Sequence, residues 1–391
     1  MAKEIITYLK DNHKPMLALL KEMVAIESPS NNKKALKNVI RFLRKELEQL
    51  GFYTLHVSGK NTGGYLYARP LIRKKNTPLQ LLIGHCDTVW ELQSIKDMPV
   101  VQSNGKLSGP GVFDMKAGII QILFSLRAIK ALQLDLAVTP IILINTDEEI
   151  GSHESTPIIK RLSKLVHRAF VLEPPLGLEG RLKTARKGVG RFTITVKGKA
   201  AHAGLDPEKG VNAIVELSHQ VQRLYAMNDF DKGITVNVGL IEGGYASNVI
   251  AAESKATIDV RVYNIEDGAY ITDRIHQLKP ILDNVELRIE GRIGRPPMTQ
   301  TSRNKHLWEN AEANGKLIGL NLEQATAGGG SDGNTTSLYT ATLDGLGTPG
   351  DGAHATHEFI FSDKLIERTA LLTLLMLNDA ATKNKTTSHE L

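Results

Sequence analysis

Leu79-Gln80-Leu81-Leu82-Ile83-Gly84-His85-Cys86-Asp87-Thr88-Val89 sets a compact apolar run directly against a cluster of polar, ligand-type side chains. An aliphatic run without polar alternation reads as a strand covered on both faces, the habit of parallel sheets. The same pattern recurs twice: Pro140 to Ile144 leads into Asp147-Glu148-Glu149-Ile150-Gly151-Ser152, and Phe170-Val171-Leu172 leads into Glu173-Pro174. Helical spacing fills the intervals. Leu36, Val39, Ile40, Leu43, Leu47 and Leu50 recur at that spacing before Gly51, and Ala117 to Leu132 reads as a second helix. The alternation predicts an α/β domain built on a mixed, mainly parallel sheet. Ligand-type residues at the carboxyl ends of strands stand where such folds place their sites.

The rhythm changes near Lys187. Arg191 to Lys197 alternates as a strand, Asn212 to Met227 is helical, and Ile234 to Ile241 and Lys255 to Val262 are strands. A helix from Asp267 to Leu278 and a strand from Val285 to Glu290 complete a β-α-β-β-α-β order, the signature of a ferredoxin-like unit. The predicted organisation is therefore an insertion: residues 187–291 form a smaller domain set into a larger one made of 1–186 and 292–391. Gly188 and Gly291 stand at the junctions as hinge candidates, and the polar tail after Ala381 is expected to fray.

A chain of 391 residues is long enough for two domains and a sizeable core. The formal charge of +6 and the pI of about 9.1 would permit polyanion binding. However, the basic runs are short (Lys33-Lys34 and Arg73-Lys74-Lys75) and no aromatic residues interleave with them. That reads as a solvated basic surface, not a nucleic-acid interface. The single cysteine, Cys86, excludes an intrachain disulfide framework and fits a reducing compartment. Charged residues from Lys3 to Glu22 interrupt any signal-peptide core, and no stretch approaches the ~20 apolar residues of a membrane span. A soluble cytoplasmic protein without membrane or nucleic-acid partners is the expectation.

His85 and Asp87 are two apart at a strand end, so both face the same way, and Asp87 can accept from the imidazole N–H and fix which nitrogen meets a metal. Asp114, in Gly109-Pro110-Gly111-Val112-Phe113-Asp114-Met115-Lys116, lies in a Gly-rich loop before a helix. It could cap that helix or span two cations with its two oxygens. Glu148 and Glu149 are costly as adjacent carboxylates after an apolar strand unless positive charge sits beside them. A metal supplies that charge: one carboxylate ligates while its neighbour stays free as a general base. Glu173 follows another apolar run, and His354 and His357 compete for a last ligand position. Mixed nitrogen and oxygen donors without cysteine suit zinc, with cobalt or manganese as alternatives.

Taken together in this order, these motifs resemble the M20 family of zinc metallopeptidases and deacylases, most closely its glutamate-carboxypeptidase-like branch, over Ile26 to Ile366. The resemblance implies an α/β catalytic domain with an inserted dimerisation domain, two zinc ions per subunit and a homodimer. By position, His85 and Glu173 would hold one metal, Glu149 and the late histidine the other, with Asp114 bridging and Glu148 as general base. The family's H-x-x-x-E spacing selects His354, four residues before Glu358, over His357. A cis peptide is implied at Asp114-Met115. His202, in Gly198-Lys199-Ala200-Ala201-His202-Ala203-Gly204, would stabilise the oxyanion in the partner subunit's site. Asn248 and Arg261 match substrate-binding positions of the branch. Arg295 is a further candidate, with Arg292 in an alternative register, and Gly329 and Gly330 lie in a loop similar to the branch's Gly-Gly-Gly-Thr-Asp loop, with Ser331 in place of threonine. Arginine suits a terminal carboxylate through its planar fork, and a glycine loop allows close backbone approach.

The reaction so implied is metal-assisted amide hydrolysis of a small peptide or an N-acyl amino acid. Glutamate at position 173 points to a carboxypeptidase or a deacylase, where aspartate would point to an aminopeptidase or dipeptidase. Release of a C-terminal amino acid is the leading expectation and N-acyl-amino-acid deacylation the alternative. A binding protein that has merely kept the fold would need a broken ligand or a lost base, and none is broken.

Overall fold

The computed structural model describes residues 1–73 and 76–379, so the tail after Ala381 lies outside the described residues. Two compact units form. One comprises Met1–Thr184, Gln300–Ala325 and the chain from Ser331; the other comprises Ala185–Thr299 and Thr326–Gly330.

In the first unit, β1 (Phe52–Val57), β2 (Tyr65–Pro70), β3 (Leu79–His85), β4 (Thr139–Asn145) and β5 (Arg168–Val171) make up most of a six-stranded sheet. Its order is β1-β2-β4-β3-β5, closed by the short strand Ala341–Leu343. β1, β2 and β4 pair antiparallel, whereas β4, β3, β5 and Ala341–Leu343 run parallel. The sheet is mixed, with its parallel part made of the apolar runs. β4 is buried at every position because alternate side chains enter different cores. Leu82, Ile142, Ile144 and Phe170 meet one core with the helices Ala117–Ala131 and Lys364–Leu377. Leu81, Ile83, Ile141, Leu143 and Val171 meet another with the helix Thr156–Leu165. Two covered faces explain the unbroken hydrophobicity of these strands. The parallel strands deliver their carboxyl ends, and the residues just beyond them, to one edge.

In the second unit, β6 (Gly188–Lys197), the helix Ala213–Tyr225, β7 (Thr235–Gly243), β8 (Glu253–Val262), the helix Ile265–His276 and β9 (Glu286–Arg295) follow in turn. They form an antiparallel sheet of order β7-β8-β6-β9, the β-α-β-β-α-β unit predicted from the sequence. Phe192, Ile194, Val196, Ile258 and Val260 alternate inward against Leu217, Leu224, Ile271 and Ile275 of the two helices. β7 lies at the sheet edge and leaves Leu240 58% and Ile241 59% exposed.

The unit extends beyond residues 187–291. β9 continues through Gly291 to Arg295, because Gly291 adopts a φ of +125° where an added Cβ would lie 2.3 Å from the Arg191 carbonyl oxygen. Polar residues there hide a strand whose pairing is carried by backbone. Gly188 and Gly291, the hinge candidates, are both paired strand residues. Among the described residues, no helix is long and apolar enough to cross a membrane.

Candidate metal centre

β3 ends on His85, which is 1% exposed. Its Nε2 lies 3.1 Å from Asp114 Oδ1 and 3.5 Å from Glu173 Oε1. Its Nδ1 lies 3.1 Å from the Asp87 backbone carbonyl and 3.4 Å from Asp87 Oδ1. Nδ1–H therefore donates to Asp87, and Nε2 is turned towards the carboxylates. Asp87 does a second job that spacing did not reveal. Its carboxylate accepts from Ser30 Oγ at 2.7 Å and from the backbone N–H groups of Glu148 and Glu149, each at 3.3 Å. The end of β3 thus fixes the acidic loop beyond β4.

That loop is held from two further sides. Asp147 Oδ2 accepts the N–H groups of Glu154 and Ser155 at 2.8 and 3.1 Å. Asn145 and Ser152 donate to the carboxylate of Asp332 at 2.7 and 2.5 Å. Asp114 follows its glycine turn with a cis peptide to Met115. While Oδ1 meets His85, Oδ2 lies 3.7 Å from His354 Nε2, and the same nitrogen lies 3.0 Å from Glu149 Oε2. Asp114 stands between the two histidines. Ligand atoms of His85, Asp114 and Glu149 lie within 4.8 Å of one another, as do those of His85, Glu148 and Glu173. His357 instead lines an adjoining cavity of about 540 Å³ with Phe113, Glu173, Lys183 and Asp351.

Burial pushes Glu149 up to about 7, with His354 opposing and Asp114 adding to the shift. The hydrogen bond to Glu149 raises His354 to about 9 against the effect of burial. Burial disfavours a charged His85, yet Asp114, Asp87 and Glu173 hold it well above the usual histidine value. Both imidazoles are drawn towards protonation, and one carboxylate is still driven towards neutrality. Against burial, His85, His354 and Lys183 together hold Asp114 below its ordinary value. Oxygen-rich donors, two imidazoles and no thiolate form a set that divalent cations complete.

The remaining predicted residues lie in the second unit. His202 forms a backbone bridge with Val249, and the Ala203 N–H donates to the Asn248 carbonyl at 3.0 Å, so His202 and Asn248 are brought together. The exposed His202 ring accepts the N–H groups of Gly204 and Leu205 on Nδ1, each at 3.1 Å, which leaves Nε2 as its protonated nitrogen. Arg261 grips Asp259 through Nε and Nη2 at 2.7 and 3.0 Å, and its Nη1 donates to the Gly328 carbonyl at 3.4 Å. The buried Arg186 donates to the Gly329 and Gly330 carbonyls at 3.0 and 3.3 Å. On β9, Arg292 stands opposite Arg191 and Arg295 opposite Val189, with a bulge between Ile293 and Arg295. The glycine loop divides: Gly328 to Gly330 belong to this unit, whereas Ser331 caps the helix Asp332–Thr336 in the first.

Sequence reasoning missed the supporting roles of Ser30, Arg186, Asp332 and Glu358. Each acts on a partner distant in the chain, and only Glu358 carried a signal, its spacing from His354.

A sequence profile described as a peptidase dimerisation domain (M20_dimer) matches residues 184–279. The chain is 30% identical over 359 residues to carboxypeptidase G2 of Pseudomonas sp. strain RS-16, covering 88% of this chain and 84% of that protein. It is 27% identical over 364 residues to succinyl-diaminopimelate desuccinylase of Nitrosospira multiformis, covering 88% and 93%. Among solved structures, aminopeptidase PepT from Bacillus cereus aligns with a TM-score of 0.79 at 20% identity, covering 93% of this chain and 98% of that one.

Proposed function

The chain belongs to the M20 peptidase family, a family of hydrolases, and from that premise we propose that it is a two-metal amide hydrolase releasing a C-terminal amino acid from a small peptide. The observation that carries this reading is the convergence of His85, Asp114, Glu149, Glu173 and His354 with Glu148 at the same cluster. His85 and Glu173 would hold one divalent ion, Glu149 and His354 the other, and Asp114 both. Zinc fits the donor set, with cobalt or manganese as substitutes. Such ions, when bound, polarise the amide carbonyl and acidify water. Glu148 takes the proton of the attacking water on a carboxylate oxygen and returns it to the leaving amine nitrogen. Asp87 orients His85 and, through its bonds to the Glu148 and Glu149 N–H groups, keeps base and ligand in place.

His202 of the partner subunit would donate its Nε2–H to the developing oxyanion. The matched dimerisation profile and the exposed apolar edge of β7 support a homodimer. Arg261, Arg295, Asn248 and the Gly329-Gly330 backbone would bind the substrate's free carboxylate; the Arg261 bond to the Gly328 carbonyl sets guanidinium and glycine loop side by side. A cytoplasmic location is consistent with the single, buried cysteine.

A second reading, N-acyl-amino-acid deacylation, is favoured by the similarity to a desuccinylase. One panel decides: dipeptides ending in Glu, Asp, Leu or Ala beside N-acyl amino acids, assayed with added zinc or cobalt and again with chelator. Chelator-sensitive release of the C-terminal residue is expected. Turnover confined to the N-acyl set selects the deacylase, and no turnover with two ions bound overturns both readings.

A further inference from the structure

Glu358 is 1% exposed and carries a complete set of acceptor bonds. Its Oε1 accepts the backbone N–H groups of Phe113 and Asp114 at 2.8 and 3.0 Å. Its Oε2 accepts the Gly111 N–H at 2.9 Å and the Trp90 indole N–H at 3.0 Å. Each oxygen thus receives two donors. A carboxylate suits this cradle because it is an acceptor without a donor of its own, and the several N–H groups offset the cost of burying its charge.

The backbone of the same residue ends the turn that carries His354. Its N–H donates to the Ala355 carbonyl at 3.0 Å, and its carbonyl receives the Gly109 N–H at 3.4 Å. Phe359 then enters the strand Phe359–Phe361, paired in register with Ser108 just before the glycine turn. Gly352 closes the other side of the His354 turn, at a φ of +81° where an added Cβ would lie 2.9 Å from Glu358 Cα. Two ligand-bearing segments, remote in the chain, meet on one side chain.

We propose that Glu358 is the positioning residue that sets the spacing between the Asp114 carboxylate and the His354 imidazole, and so tunes how tightly the second metal ion is held. The proposal rests on the metal-holding roles assigned above to Asp114 and His354. Three backbone N–H groups of the Asp114 loop, those of Gly111, Phe113 and Asp114, end on this one carboxylate. Deleting it would let Asp114 drift from the position in which it reaches both histidines. Glutamine is the discriminating substitution, because its NH2 group would face two N–H donors in place of an acceptor oxygen.

The test compares wild type, Glu358→Gln and Trp90→Phe for zinc and cobalt affinity of each site by competition with a chelating indicator. The visible spectrum of the cobalt form and the thermal midpoint are recorded in parallel. Glu358→Gln is expected to lose about 10–100-fold in affinity for the more weakly held ion, the range for partners that orient ligands, and to alter the cobalt spectrum. At saturating metal its kcat falls while KM stays close to wild type. Trp90→Phe, which removes one donor and leaves the carboxylate, shows a smaller loss of the same kind with its thermal midpoint retained, and stands in if the glutamine variant fails to fold. Wild-type affinities and spectrum in Glu358→Gln, with only the midpoint lowered, overturn the proposal, as do unchanged affinities in Trp90→Phe when the glutamine variant is unfolded. A wild type that binds no pair of ions overturns the metal assignment itself, and this inference with it.

Discussion

Glu148 and Glu149 are neighbours in the chain with different proposed duties, and substitution separates them. Glu148→Gln should retain both ions while kcat falls about 10²–10⁴-fold, the usual share of a general base; activity near wild type with two ions bound would remove Glu148 from that role. Protons should also report on metal uptake. His354 stands at about 9 without metal, so at pH 7 it must shed a proton to ligate. Metal affinity should therefore rise with pH until about 9 and then level. Calorimetry at pH 7 in buffers of different ionisation heat should show net proton release, and buffer-independent heats would refute it. In the metal-free protein the same raised value acts on folding with the opposite trend. The ion pair of His354 with Glu149, which itself stands at about 7, is complete between about 7 and 9 and fades as pH passes about 9. His85, Glu148, Glu149 and Glu173 were legible in the sequence because they follow apolar runs. The bonds of Asp87 to the Glu148 and Glu149 N–H groups were not, since backbone donors leave no mark on residue identity.

At the scale of elements, the helix Ala117–Ala131 is buried almost all round and begins against the end of β5. An added Cβ on Gly118 would lie 2.1 Å from the Leu172 carbonyl oxygen, one residue before Glu173. Gly118→Ala should cost about 1–3 kcal/mol of stability through overpacking. Because the displaced carbonyl adjoins Glu173, metal affinity should fall as well. Denaturant unfolding and metal titration would show both, and a destabilised variant with unchanged affinity would mean that the helix does not position Glu173. β3, β4 and β5 were readable because both faces of each are covered, which demands continuous apolar residues. The second half of β9 was not. Gly291, Arg292 and Gly294 lack any alternation: Gly291 pairs with Phe192 and Arg292 with Arg191, and Gly294 stands in the bulge between Ile293 and Arg295, so backbone carries the register. The sequence presents the glycine loop as one piece, yet Ser331 uses its hydroxyl to cap a helix and to reach Asp344 at 2.6 Å. That partner lies beyond any local pattern.

For the whole molecule, a dimer that shares His202 makes a prediction no monomer can satisfy. Glu148→Ala and His202→Ala should each be nearly inactive alone. Mixed and allowed to exchange subunits, they should regain activity, because a heterodimer then holds one site with both groups intact. No recovery, with exchange demonstrated by differently tagged chains, would place His202 in its own subunit's chemistry. Leu240→Asp with Ile241→Asp on the β7 edge should yield monomers in light scattering, and an intact dimer would exclude that edge from the interface. The β-α-β-β-α-β order was legible because β6 and β8 alternate cleanly, while the excursion of Thr326–Gly330 into the second unit was not, being too short to carry a pattern. That excursion bears on how the protein could be re-engineered. The chain passes between units four times, at 184/185, 299/300, 325/326 and 330/331. A transplant of 185–299 into a relative would leave behind the strip whose carbonyls Arg186 and Arg261 hold and to which the Lys187 N–H donates. Substrate preference, if it resides there, is inherited as two cassettes: a chimera that exchanges only the longer one would combine one parent's arginines with the other parent's loop.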